Sequence, residues 1–296
     1  DPKLWYGIAI LYDRWGSAEN AETAFLSALA GYLPPHQAAG QPGAPPPALM
    51  TPVVIPSGDR DRDDVVAEMY FRLGIMYKLQ SRWEEGAACF AHVMNFPPPP
   101  LACHDLQFQL AHCLEQMGRT GEARDLYERV VEADPAHAKA LQQLGWLLHL
   151  EAAAALASRA TMVTAHALQL LDRSSVADPT DAQTWYLMGR VHMSARRYND
   201  AHACYQHAVR LDPRNASFWC SIGVLYSQIR QAHDALDAYS RAIRLDPRVA
   251  EVWYNLGTLY ESCNNQMDDA LDAYERAARL DPGNPHIRTR LEYVKS

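Results

Sequence analysis

Residues 216–247 read ASFWCSIGVLYSQIRQAHDALDAYSRAIRLDP, and this stretch decides the fold. Trp219, Ile222, Gly223 and Tyr226 are spaced i, i+3, i+4 and i+7, so they share one face of a first helix. Ala235, Tyr239 and Ala242 share one face of a second helix. Gly223 and Ala235 are small where two helix backbones must approach, and Trp219, Tyr226 and Tyr239 fill the space around that contact. Asp246-Pro247 ends the second helix, because proline cannot continue it and restricts the residue before it. Working outward, the same markers return. Trp185, Trp219 and Trp253 lie 34 residues apart, as do Gly189, Gly223 and Gly257, and Pro179, Pro213 and Pro247. One period shared by three independent markers is the mark of a repeat array.

The pattern resembles the tetratricopeptide consensus W-x2-L-G-x2-Y, A-x3-[FY]-x2-A, P. It predicts an all-α tetratricopeptide-repeat right-handed superhelical solenoid of seven helix pairs plus a C-terminal capping helix. The first unit covers residues 1–30 (Trp5, Ile8, Ala9, Tyr12, Ala21, Phe25, Ala28), and six further units cover 64–282. Between them, residues 31–63 hold eight prolines and little periodicity, and read as a disordered insert. Unit four is ten residues longer from Gly145 to Pro179 than its neighbours, and an alanine-rich stretch near 151–160 is expected to lengthen a helix. In unit seven the Cys263-Asn264-Asn265-Gln266 turn adds one residue. Over 283–296, Ile287, Leu291 and Val294 share a face, as a helix closing the array requires.

Composition narrows the function classes. Lysine and arginine number 27 against 35 aspartates and glutamates, a net charge of −8. Direct nucleic-acid readers usually carry a basic face, so direct contact with DNA is not expected. No apolar run approaches the roughly 20 residues that span a bilayer. The first residues lack a charged-then-apolar leader pattern, although the chain opens inside a first helix and segments upstream are left open. The six cysteines show no paired framework and read as reduced, buried small hydrophobes, which fits cytosol or nucleus better than secretion.

In such arrays the first helix of each pair lines a concave groove, with positions 2, 5, 9, 12 and 13 of each unit facing it. Position 5 reads Tyr6, Phe71, Phe108, Gln142, Tyr186, Cys220 and Tyr254; position 9 reads Ile10, Ile75, His112, Trp146, Arg190, Val224 and Thr258. The expected partner-binding groove therefore comprises Tyr6, Ile10, Phe71, Ile75, Phe108, His112, Gln142, Trp146, Tyr186, Arg190, Tyr254 and Thr258. Its aromatic first half suits an amphipathic helix or apolar segment laid into it, while the same aromatics are also placed to pack between adjacent units. Chaperone-tail receptors of this fold use lysine at position 5 and asparagine at position 9, and no unit here has either.

No catalytic, cofactor or metal site is expected. Cys103, His104, His112 and Cys113 match no zinc-ligand spacing. His202 and His207 read as a solvated outer face, and no phosphate-binding, serine-nucleophile or zinc-protease motif occurs. The tyrosines and tryptophans at repeat positions read as core, so replacing Trp219 by alanine is expected to cost roughly 3–5 kcal/mol.

Thr184-Trp185-Tyr186-Leu187-Met188-Gly189-Arg190, Phe218-Trp219-Cys220-Ser221-Ile222-Gly223, Asp234-Ala235-Leu236-Asp237-Ala238-Tyr239 and Leu256-Gly257-Thr258-Leu259-Tyr260 carry a further likeness. With Leu4-Trp5-Tyr6-Gly7-Ile8 and Tyr70-Phe71-Arg72-Leu73-Gly74-Ile75, they resemble the fungal general transcriptional corepressors of the glucose repression mediator family. The resemblance covers nearly all the chain except the proline-rich insert. It implies a non-enzymatic nuclear scaffold that bridges sequence-specific DNA-binding repressors to a Tup-type WD-repeat corepressor, whose N-terminal helices the earliest repeats would engage. Histone deacetylases and histones would join indirectly, with no membrane and no direct nucleic-acid contact. The alternative is the repeat region of a UTX-type histone-lysine demethylase, whose repeats are related around Trp219 to Tyr226.

Overall fold

A computed structural model describes residues 1–32, 57–154, 157–262 and 266–295. Among them lie fifteen helices and no strand. Most form pairs: α1 (Pro2–Arg14) and α2 (Ala18–Ala30); α3 (Arg60–Leu79) and α4 (Trp83–His92); α5 (Cys103–Gln116) and α6 (Thr120–Ala133). Then follow α7 (Ala138–Ala154) and α8 (Ala157–Ala177). Next come α9 (Ala182–Ser194) and α10 (Tyr198–Leu211), α11 (Ala216–Gln228) and α12 (Ala232–Leu245), α13 (Ala250–Ser262) and α14 (Met267–Leu280), with α15 (Pro285–Lys295) last. The chain divides into two compact bodies, Asp1–Leu147 and Leu148–Ser296.

The hairpin is built on one contact repeated from unit to unit. A Cβ added to Gly223 would sit 2.5 Å from Cε1 of Tyr239, and one on Gly74 would sit 2.7 Å from Phe90. Gly257 meets Tyr274 and Gly189 meets Tyr205 in the same way. Each ring is buried and presses on the backbone of the facing helix, so at these four positions even the Cβ of alanine would crowd it. The turn joining the paired helices is equally regular. Position 15 is left-handed at Gly16, Ser81, Gly118, Arg196 and Arg230, with φ between 57° and 77°. In unit six the Gln231 N–H donates to the Tyr226 carbonyl (2.9 Å) and the Arg230 N–H to that of Ser227 (3.1 Å), which satisfies two carbonyls the helix end would leave open.

Between units, the helix ends at Asp-Pro as read. The aspartate also folds the chain onward: the Asp246 carboxylate accepts from the Arg248 N–H (2.9 Å), as Asp134 does from Ala136 (3.0 Å) and Asp212 from Arg214 (3.2 Å). At the C-terminus Ile287 is buried, with Leu291 and Val294 half-buried beside it. Arg290 is anchored by Glu261 through its Nε (2.9 Å) and by a second, shorter contact.

Four expectations change. The boundary at residue 64 falls inside α3, which begins at Arg60. The Asp59 side chain caps its first turn, and Asp63 is buried with its carboxylate accepting from the Ser57 N–H (2.8 Å) and hydroxyl (2.6 Å). An Arg-Asp-Arg-Asp-Asp start hides this turn from any search for apolar period. Residues 33–56 of the expected insert, and 263–265 of the expected longer turn, lie outside the described residues. In unit four both helices are long, 17 residues in α7 and 21 in α8, against 13 and 14 in unit six; residues 155–156 are not described.

The tryptophans are the third correction. Trp185, Trp219 and Trp253 are half-buried rather than core, while Phe218 one residue earlier is only 2% exposed. The indole N–H of Trp219 donates to the Pro213 carbonyl (3.1 Å) and that of Trp253 to the Pro247 carbonyl (2.9 Å). Arg241 and Arg276 lie 4.5 and 4.6 Å over the two rings. An indole edge that needs a carbonyl and a face that attracts a guanidinium settle at the seam between units. His202 and His207 also leave the solvated face assigned to them. Both are half-buried, one against the Tyr226 hydroxyl (3.0 Å) and the other 4.2 Å from the Trp185 ring.

Candidate functional site

The aromatics of position 5 turn out to have a structural duty. Each leans on the position-24 ring of its own unit: Tyr6 on Phe25 (6.3 Å), Phe71 on Phe90 (6.0 Å), Phe108 on Tyr127 (5.8 Å), Tyr186 on Tyr205 (5.9 Å) and Tyr254 on Tyr274 (5.6 Å). All five stay half-buried, so one face packs while another remains at the surface. Tyr186 also stacks on Phe218 at 4.9 Å, and Phe108 meets His137 at 5.0 Å. Gln142 does not belong with them. It is 1% exposed, so a partner cannot reach its side chain.

Position 9 divides similarly. Ile10, Ile75 and Trp146 are half-buried, Arg190 is exposed with its guanidinium 6.0 Å over Tyr186, and Thr258 is exposed with its hydroxyl bonded to the Tyr254 carbonyl (3.1 Å). His112 packs 5.9 Å from Trp83, and burial pulls its imidazole down to about 4. It is therefore neutral at physiological pH. With Cys103 exposed and Cys113 buried, their side chains do not converge; among the described residues no three His, Cys, Asp or Glu side chains gather as ligands.

Of the expected groove residues, the structure brings Phe71 and Ile75 together in one cleft of about 640 Å³ in the first body. Its floor adds Met76 and Leu79, its far wall is Pro98–Leu101, and Leu79 is 81% exposed there. Along the rim, Arg72 donates from Nε (3.0 Å) and Nη2 (2.8 Å) to Glu68 and lies 3.6 Å from Asp13. The hydroxyl of Tyr6 also bonds Glu68; burial first, and that carboxylate second, push its phenol up to about 12. The cleft thus has an apolar floor, and a rim of two carboxylates around one guanidinium. Leu79 and Glu68 occupy the groove-facing positions 13 and 2, and the Pro97–Pro100 run was visible in the sequence. Only folding joins that run to α3.

No nucleophile–base pair lines the cleft, and no helix among the described residues is long and apolar enough to cross a membrane.

Comparisons with known proteins agree with the repeat fold. Tetratricopeptide-repeat family models match residues 104–147, 182–215 and 220–285. The general transcriptional corepressor ssn6 of Schizosaccharomyces pombe is 49% identical over 209 residues, 71% of this chain. The general transcriptional corepressor CYC8 of Saccharomyces cerevisiae is 48% identical over 291 residues, 98% of this chain. The chain spans only 16% and 27% of those two proteins. Among solved structures, a tetratricopeptide repeat protein from Parabacteroides merdae covers 100% of this chain, and is itself covered to 99%, with a TM-score of 0.70 at 12% identity; that likeness speaks to fold alone. The chain is therefore an all-α tetratricopeptide-repeat solenoid, and its homologues are general transcriptional corepressors.

Proposed function

We propose that this chain is the scaffold region of a transcriptional corepressor acting in the nucleus, without enzymatic activity of its own. The observation that carries the reading is the 48% identity to a general transcriptional corepressor across 98% of the chain. In this reading the repeats bridge DNA-binding repressors to a Tup-type WD-repeat corepressor, with histone deacetylases joining the assembly. The first-body cleft is assigned to a helix of the Tup-type partner. Phe71, Ile75 and Leu79 offer an apolar floor at helix-in-groove spacing, and the Asp13 and Glu68 carboxylates favour a basic residue beside the apolar stripe. The surviving surface residues of the expected groove (Tyr6, Ile10, Phe108, His112, Trp146, Tyr186, Arg190, Tyr254 and Thr258) are further candidate contacts within their own bodies.

The test is co-purification of the chain with a Tup-type corepressor. Wild type should retain it, and Phe71→Asp with Ile75→Asp should weaken retention by at least about tenfold, the scale for burying a charge in an apolar interface. Equal retention by both proteins would remove the cleft from this role, and no retention by wild type would remove the reading itself.

A further inference from the structure

The second body repeats an outward-facing feature that the corepressor reading does not use. In units five, six and seven the second helix closes with the same pattern, His207/Arg210/Leu211, Arg241/Arg244/Leu245 and Arg276/Arg279/Leu280. The three leucines are 38%, 40% and 39% exposed. Units two to four lack it: at the corresponding places they carry Asn95-Phe96, Glu132-Ala133 and Val176-Ala177. Beside each seam sits the half-buried tryptophan. Val209, Pro213, Trp219, Arg241, Arg244 and Leu245 line a cleft of about 610 Å³, and Pro247, Trp253, Arg276, Arg279 and Leu280 line a smaller one of about 230 Å³.

Part of this is structural. Cations in the last turn complement the helix dipole, and a guanidinium over an indole holds the seam. The cation–π contact accounts for Arg241 and Arg276, and the helix dipole favours Arg210, Arg244 and Arg279 in their last turns. Neither accounts for a leucine left in solvent at each step. Arg210, Arg241 and Arg244 make no ion pair within 4.0 Å among the described residues. The nearby Asp212 and Asp246 carboxylates are instead turned to backbone N–H groups of their own turns (3.2 and 2.9 Å). Asp234 and Asp237 line the other end of a wider neighbouring cleft with His202, so the cationic end is a local exception in a chain of net charge −8.

We propose that these clefts are a docking ladder for an acidic peptide segment of a protein partner, with one carboxylate-plus-apolar contact per repeat. Carboxylates would take the free guanidiniums, which pair with them in a bidentate fork, and apolar side chains would cover the leucine beside each tryptophan. A nucleic acid fits less well. The tryptophan faces are already covered by arginine, which closes them to base stacking.

The experiment is fluorescence anisotropy on the full chain with a labelled peptide in which Asp and Glu alternate with Leu and Phe. Controls are the same peptide with Lys for each acid and a single-stranded oligonucleotide. The acidic peptide should bind, and weaken about tenfold or more when NaCl rises from ~50 to ~300 mM. Arg241→Glu with Arg244→Glu should also weaken it about tenfold or more. Circular dichroism confirms that the charge-reversed chain folds; if it does not, the wild-type comparison of the two peptides and the salt series still decides. No binding of the acidic peptide, equal binding of the lysine peptide, tighter binding of the oligonucleotide, or indifference of a folded variant to charge reversal would each overturn the proposal.

Discussion

Tyr239 and Trp219 belong to one helix pair, and both are large aromatics at consensus positions, yet they live in different places. Tyr239 is 1% exposed and presses on the Gly223 backbone inside the hairpin. Trp219 stands half-buried at the seam with the preceding unit, tied by its N–H to Pro213 and covered by Arg241. Two helices in a hairpin must close to backbone contact, which leaves no room for a polar edge. Neighbouring pairs meet at a looser seam where an indole keeps one edge on a carbonyl and one face on a cation. A consensus residue is thus not a core residue by virtue of recurring.

The comparison can be broken most directly at its inner member. Tyr239→Ala should cost about 3–5 kcal/mol, the usual penalty for emptying a fully buried aromatic site, measured by urea unfolding. Gly223→Ala forces a methyl into the Tyr239 ring. Overpacking of roughly 1–3 kcal/mol, less about 1 kcal/mol gained in helix propensity, leaves a net loss of up to about 2 kcal/mol. Trp219→Ala, at the outer member, should cost only about 1–2 kcal/mol, from a half-buried ring, one hydrogen bond and one cation–π contact. If Trp219→Ala matches Tyr239→Ala, the distinction between hairpin and seam fails. A smaller effect of opposite sign comes from the turn between them. Arg230 sits at φ 61°, so Arg230→Gly should raise stability by about 0.5–1 kcal/mol, and the same change at Ser81 should act alike.

Acid provides the last test, on side chains rather than backbone. His112 is held neutral in the fold at about 4, below its ordinary value, because burial disfavours the imidazolium and Lys78 repels it. Between roughly pH 6.5 and pH 4 the unfolded chain therefore binds the proton that the folded chain refuses, and stability falls as pH falls through that window. Burial lowers His149 and His192 in the same direction. His112→Gln should flatten part of the slope in denaturant midpoints measured across that range; an unchanged slope would mean His112 takes its proton freely in the fold.

Most of the scaffold was legible in the linear chain because its causes are local. The 34-residue step, the Gly223–Tyr239 partnership and the Asp246-Pro247 stop depend on residues within one unit. The Arg60 start of α3 was not legible, since a capped, charged first turn carries no apolar period. The groove was half legible. Counting positions found Phe71 and Ile75, but it also admitted Gln142, and it could not bring Pro98–Leu101 to the cleft wall or draw Arg72 between Glu68 and Asp13.

The sequence by itself determined that this protein is an array of helix pairs, where each pair turns, and which residue must be small for the pair to close. Only the tertiary structure decided which aromatics are core and which stand at a seam, which leucines face solvent, and where a cleft opens. The reason is one of range. Helix periodicity, glycine clearance and proline stops act within about one unit of chain. Burial is set by the neighbouring unit, whose approach the spacing of residues along the sequence does not specify.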